Sequence, residues 1–201
     1  MKRVSALLLA AGRGKRAHGD KPMLPWGSDN FLTKTYKSLK GVPAFQEVLV
    51  VLGHQAFRWT PYLKMCNAHF SINPMFDHGM HSSIKWGLQH LKKDFDLALI
   101  ALVDQPQLDT ADYDYLVSMA VSSGKSLVRP TYTGQSGNPV LIGQKFLSQI
   151  EVQEESDSGC SYLFQQNPDE VALVEMPNSK CLIDFDSRES LEAYNEQLII
   201  A

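Results

Sequence analysis

Val4-Ser-Ala-Leu-Leu-Leu-Ala-Ala-Gly12-Arg-Gly14-Lys-Arg16, resumed at Gly19-Asp-Lys21-Pro-Met-Leu-Pro-Trp26, is the stretch that decides how this chain folds. Its apolar run is far too short to cross a bilayer, which takes about 18–20 residues. It breaks instead into a loop punctuated by glycine, with Arg13, Lys15 and Arg16 packed into four positions. Glycine lets backbone N–H groups turn inward and approach an anion closely, while Arg and Lys neutralise its charge. A buried first strand whose carboxyl end opens into such a loop is a cradle for phosphates. The loop differs from a Walker A motif, because no Gly-Lys-Ser/Thr follows. It also differs from the dinucleotide fingerprint, being too long and too basic before any helix.

The bulk composition narrows the partners. A net charge of −3 and a pI near 6.1 argue against nucleic acid, which asks for a broad basic face. Six of the basic residues fall instead within the first 21 positions, a local cluster suited to a small anionic ligand. Met1-Lys-Arg before an apolar run resembles a signal peptide, but the run ends in Arg-Gly-Lys-Arg without a cleavage-like continuation. Cys66, Cys160 and Cys181 are scattered and form no Cys-x-x-Cys, as in a reduced, cytoplasmic protein. No segment reads as a membrane span. At 201 residues the chain fits one domain spanning 1–201.

Apolar runs recur at the spacing of alternating strands and helices: Val4–Leu9, Val48–Leu52, Leu97–Val103, Leu127–Val128, Val140–Ile142 and Val171–Met176. Several are continuously apolar, as strands covered on both faces are. Helices are expected over Phe31–Leu39, Ser82–Leu91, Ala111–Val121 and Leu191–Leu198, where apolar residues share one face. The expected fold is a three-layer Rossmann-like α/β domain with a mostly parallel sheet. Ligands of such sheets bind beyond the carboxyl ends of the strands.

The residues at those ends carry chemistry. Asp104 follows Leu97–Val103 and precedes Gln105-Pro106, a fixed carboxylate suited to a hard divalent cation. Asp109 or Thr110 can cap the helix that follows, which frees Asp104 from that task. Asp184 and Asp186 form a second acidic pair before the last helix, where Asp186 or Ser187 can equally serve as its N-cap. In Asn73-Pro-Met-Phe-Asp-His-Gly79-Met-His-Ser-Ser83, Gly79, Ser82 and Ser83 stand at a helix N-terminus, a site for an anion or a sugar, with ordinary capping as the simpler role of Ser82. Asn138 is the one strong polar contributor of the loop 134–139, with turn formation as its simple explanation. The six histidines are dispersed, and His78 and His81 read as surface or pocket-rim residues.

The longer pattern Leu-Ala-Ala-Gly-x-Gly-x-Arg-x-x-Gly-x-Lys-x-x-Leu-Pro resembles the N-terminal signature of Rossmann-like nucleotidyltransferases. It is most similar to their molybdenum cofactor cytidylyltransferase branch. Asp104-Gln-Pro matches that branch, and Asp184-Phe-Asp186 matches the family's second acidic position, while Ser187, Arg188 and Ser190 depart from it. Where relatives carry Gly-Asp-x-Gly-Ala-Arg, this chain has Ser156-Asp-Ser-Gly-Cys-Ser161, without the arginine. The resemblance implies transfer of a nucleoside monophosphate to a phosphorylated acceptor. Ala10, Ala11, Gly12, Arg13, Gly14 and Arg16 would hold the nucleotide phosphates. Gly79, Ser82 and Ser83 would lie beside the base and ribose. Lys21 and Arg16 would stabilise charge in the reaction, and Mg²⁺ would sit on Asp104 and Asp186. Ala10-Ala11 before Gly12 points to CTP over GTP. The acceptor would be the molybdopterin cofactor or another phosphorylated small molecule such as a sugar phosphate, with a molybdoenzyme or delivery protein as a possible partner. A cofactor-binding chaperone without catalysis is the competing reading.

Overall fold

The computed structural model describes residues 2–14, 20–92, 94–154, 156–186, 189–192 and 194. The run that opens the sequence becomes β1 (Val4–Ala10), buried along its whole length. Burial on both faces places it at the centre of a sheet. Its neighbours are β4 (Phe45–Leu52) on one side and β6 (Leu97–Leu102) on the other, both parallel to it. A two-residue hairpin, β2 (Pro25–Trp26) with β3 (Asp29–Asn30), stands apart from this sheet. The main sheet is completed by β5 (His69–Ile72), β7 (Leu127–Tyr132), β9 (Val140–Gly143) and β10 (Val171–Glu175), with the short β8 (Gln135–Ser136) paired to β7. Its strand order is β10-β7-β9-β6-β1-β4-β5. β9 runs antiparallel to both its neighbours, and the rest of that path shares one direction. This is the expected Rossmann-like α/β sheet, mostly parallel and mixed at β8 and β9.

Alternation along β1 builds two cores. Ala6, Leu8 and Ala10 face one layer, and Leu7 and Leu9, continued by Ala11, face the other. The first layer is covered by α1 (Phe31–Lys40), α2 (Ala56–Met65) and α4 (Thr110–Ser123). The second is covered by α3 (Met80–His90), α5 (Leu147–Val152) and α6 (Ser161–Gln166). Asp109 caps α4, its carboxylate accepting from the backbone N–H groups of Ala111 and Asp112.

β5, α2, α5 and α6 escaped the periodicity. β5 is an edge strand with mixed polarity, so no apolar run announces it. α2 contains Pro61, which removes a backbone donor. The Phe57 carbonyl accepts instead from the Thr60 hydroxyl, at 3.3 Å. α5 and α6 have six residues each, too few to show a helical stripe. Within the expected helix Leu191–Leu198, residue 193 and those beyond 194 lie outside the described residues. No described helix is long and apolar enough to cross a membrane.

Candidate active site

The carboxyl ends of β1 and β6 open onto a cleft of about 580 Å³. Leu9, Ala10 and Ala11 lead into it, and Gly12, Arg13 and Gly14 form its loop side. The base of this loop is pinned. The His54 N–H donates to the Ala11 carbonyl at 3.0 Å, and a Cβ on Gly53 would overlap both that oxygen and the Phe76 side chain. Gly14 has φ +52°, a left-handed conformation in which glycine avoids a Cβ clash. Arg16 lies outside the described residues, together with Lys15 and residues 17–19.

Lys21 sits in a single 3-10 turn, Lys21–Met23, anchored by buried Pro22. Its Nζ donates to Asp104 Oδ2 at 2.7 Å and to Asp186 Oδ1 at 2.8 Å. One ammonium therefore joins two carboxylates that stand 82 residues apart in the chain. Burial works against the charged form of Lys21, but attraction and hydrogen bonds from Asp104 and Asp186 outweigh it and raise its pKa. Asp184 lies close by. It keeps exposed surface, yet loss of hydration on its protein side, followed by the Asp104 charge, pushes its pKa up to about 6.

Tertiary struts bring Asp186 to Asp104. The Phe185 N–H donates to the Asp104 carbonyl at 2.9 Å, and its ring is buried among Trp26, Phe31 and Tyr194. Buried Gln105 and Gln107 reach across to the turn Ser179–Leu182. Gln105 Nε2 donates to the Cys181 carbonyl at 3.2 Å, and Gln107 Nε2 to those of Lys180 at 2.9 Å and Ile183 at 2.6 Å. Gly137 packs on the same turn, where a Cβ would overlap the Cys181 carbonyl, and the Asn138 N–H donates to that oxygen. The loop at Asn138 thus braces the support of Asp186 and is absent from the cleft lining. Gln107→Ala is expected to leave two carbonyls short of a donor, at a cost of about 1–3 kcal/mol. Chemical denaturation measures that loss, and nucleotide turnover should fall with it as Asp186 loses its placement.

Gly79 and Ser83 line the cleft, as does Asp157. Gly79 has φ +91° and ψ 177°, and a Cβ there would meet the Ser156 carbonyl carbon at 2.6 Å. Ser82 turns away from the cleft. Its hydroxyl lies 2.8 Å from the Met75 carbonyl and 2.9 Å from that of Gly79, and it accepts from Asn73 Nδ2 at 3.1 Å. Asn73 Nδ2 also donates to Ser83 Oγ. His81 corrects its sequence reading as a surface or rim residue. It is fully buried because it shares the inward face of α3 with Ile84 and Leu88, under the segment that carries Ser156 and Tyr162.

Two arginine features were not legible in sequence. Arg13 forms a two-pronged ion pair with Asp77, Nε–Oδ1 2.5 Å and Nη2–Oδ2 2.6 Å, tying the glycine loop to the turn Phe76–His78. Ser161, where relatives resembled by this chain carry arginine, is the first residue of α6. A guanidinium reaches that helix from β7 instead, with Arg129 Cζ 4.3 Å from the centre of the Phe164 ring.

A divalent cation fits the carboxylate pair. Asp104 Oδ1 is buried without a hydrogen-bond partner, an acceptor that a hard cation would satisfy. No group of three or more His, Cys, Asp or Glu side chains suited to a metal occurs among the described residues. A cation on Asp104 and Asp186 would therefore complete its shell with phosphate oxygens and water.

The profile of the MobA-like NTP transferase domain matches residues 6–171. The chain belongs to this family. Its nucleotidyltransferase fold recurs in solved structures at low sequence identity. Rv0371c from Mycobacterium tuberculosis is 18% identical with a TM-score of 0.82, over 96% of each chain. A manganese complex of that protein is 16% identical with a TM-score of 0.72, over 95% of this chain and 97% of the other. A nucleotidyl transferase from Methanothermobacter is 18% identical with a TM-score of 0.80, over 98% of each. The 4-diphosphocytidyl-2C-methyl-D-erythritol synthase from Anaerococcus prevotii is 17% identical with a TM-score of 0.78, over 98% and 96%. No curated protein sequence gives a significant match. A nucleotidyltransferase of the MobA-like kind thus places its glycine loop, Lys21 and Asp104 around one cleft.

Proposed function

We propose that this MobA-like transferase moves CMP from CTP to a phosphorylated acceptor, molybdopterin cofactor in the first instance, and releases pyrophosphate. The observation that carries the reading is Lys21 held between Asp104 and Asp186 at the mouth of a phosphate loop. An acceptor phosphate oxygen attacks the α-phosphorus in line. The bond from that phosphorus to the bridging β-phosphate oxygen breaks, and pyrophosphate leaves with the electron pair. A phosphate acceptor is already ionised at neutral pH, so no general base is needed. The work of the protein is positioning and charge neutralisation.

Backbone N–H groups around Ala11–Gly14, with Arg16, hold the β- and γ-phosphates. Lys21 stabilises charge building at the α-phosphate. Gly79 and Ser83 border the nucleoside, and Ser82 holds their loop in shape through its carbonyl contacts. Asp104 and Asp186 would hold Mg²⁺, which when bound neutralises phosphate charge and orients the reacting oxygens. The manganese complex of Rv0371c supports a divalent cation in this fold.

Two observations support CTP. Ala11 is buried and lines the cleft, where its Cβ would narrow the room for a purine beside the loop. The similar fold of a synthase named for a diphosphocytidyl product points the same way. In a competition of four nucleotides, followed by pyrophosphate release with molybdopterin or a sugar phosphate present, CTP should be consumed first. Equal or better use of GTP would overturn the base assignment. Pyrophosphate release with sugar phosphate alone would move the acceptor, and nucleotide binding without any release would favour a carrier.

A further inference from the structure

Arg129 lies outside the cleft lining, yet its environment is that of a binding residue. Its side chain is partly buried, and Nε is buried without a hydrogen-bond partner. Among the described residues no carboxylate answers it, and loss of water lowers its pKa. A cation taken from water without a counter-charge is costly, so folding alone gives no reason to keep it there. The Phe164 ring fixes the guanidinium by its face, which leaves the two terminal nitrogens, which are not among its buried atoms, to grip an oxyanion in two-pronged fashion.

Strand register locates it. Val128 pairs with Leu141, which sets Arg129 beside Val140, and Val140 pairs with Ile100, two residues before the cleft-lining Leu102. β7 is two strands from β6, or about 10 Å at the usual spacing. Phe164 packs on the core layer that contains Leu9 and Ala11, which also line the cleft. Arg129 therefore lies on the same face of the sheet as Leu9 and Ala11, level with Ile100.

We propose that Arg129, seated on Phe164, binds an anionic group of the acceptor substrate remote from the reacting phosphate. The acceptor assignment rests on the transferase reading above, and the anion site itself does not. The test follows the Arg129 Nε–H signal in ¹⁵N spectra, assigned by its loss in Arg129→Lys. The protein is held saturated with CTP and Mg²⁺ so that the phosphate loop is filled. Inorganic phosphate should move the signal saturably, and Phe164→Leu should weaken the apparent affinity about tenfold, the scale of a desolvated cation–π contact. Acetate replaces phosphate in a second arm, and a response to acetate alone assigns a carboxylate as the bound group. A signal that ignores both anions overturns the proposal and leaves Arg129 as packing for Phe164. Pyrophosphate release is measured on the same samples with a phosphorylated acceptor present. Its absence beside an intact Arg129 response strikes the transferase reading and spares the anion site.

Discussion

Lys21→Ala is expected to lower kcat by about 10²–10³, with a smaller change in the KM for nucleotide. The ammonium stands between Asp104 and Asp186; in the proposed reaction charge builds on the α-phosphate beside it, so most of its effect would belong to the transition state. Removal also leaves two carboxylates facing each other without their shared cation. Lys21→Met keeps the aliphatic stem against its neighbours and separates loss of charge from loss of packing. Both variants are checked by steady-state turnover of CTP with the acceptor in excess, and by thermal unfolding. Near-normal kcat with much weaker nucleotide binding would show that Lys21 is a phosphate anchor only.

Asp104→Ala and Asp186→Ala are each expected to be nearly inactive, and the double variant scarcely worse than either. Groups that serve one centre fail together, so their losses do not add. The shared contact with Lys21 and the unpartnered Oδ1 of Asp104 mark the pair as one centre. Chelation with EDTA should abolish pyrophosphate release, and added Mg²⁺ or Mn²⁺ should restore it in the wild type alone. Activity titrated against Mg²⁺ for the three variants checks both statements. Full activity of Asp186→Ala at low Mg²⁺, with about 1 kcal/mol lost in stability, would reduce Asp186 to a helix cap. The cation would then rest on Asp104 with Asp184 or on Asp104 alone.

The central strands were legible because burial on both faces forces a continuous apolar run, as in Val4–Ala10 and Leu97–Leu102. The loop was legible as a glycine-bearing turn after a buried strand, and its place on the cleft follows from the strand end it leaves. Gly14 has the positive φ that a glycine allows, and Lys21 stands in an ion pair with Asp104. Edge strand β5 and the Pro61-containing α2 were illegible, since neither repeats an apolar period strongly enough to be read. His81 was misjudged because a polar residue on a helix face says nothing about what packs above it. The segment around Ser156, 75 residues further on, buries it.

The sequence by itself determined the layered α/β architecture and which residues stand at the ends of β1 and β6. Both follow from local rules, the period of apolar residues and the polarity of the residues just after a strand. Only the tertiary structure decided which charges meet. Lys21, Asp104 and Asp186 converge because Gln105, Gln107 and Phe185 tie two distant turns together, and among the described residues the same folding leaves Arg129 without a carboxylate. Coulombic partners are set by distances of a few ångströms between residues far apart in the chain, and the spacing of residues along a chain does not encode those distances.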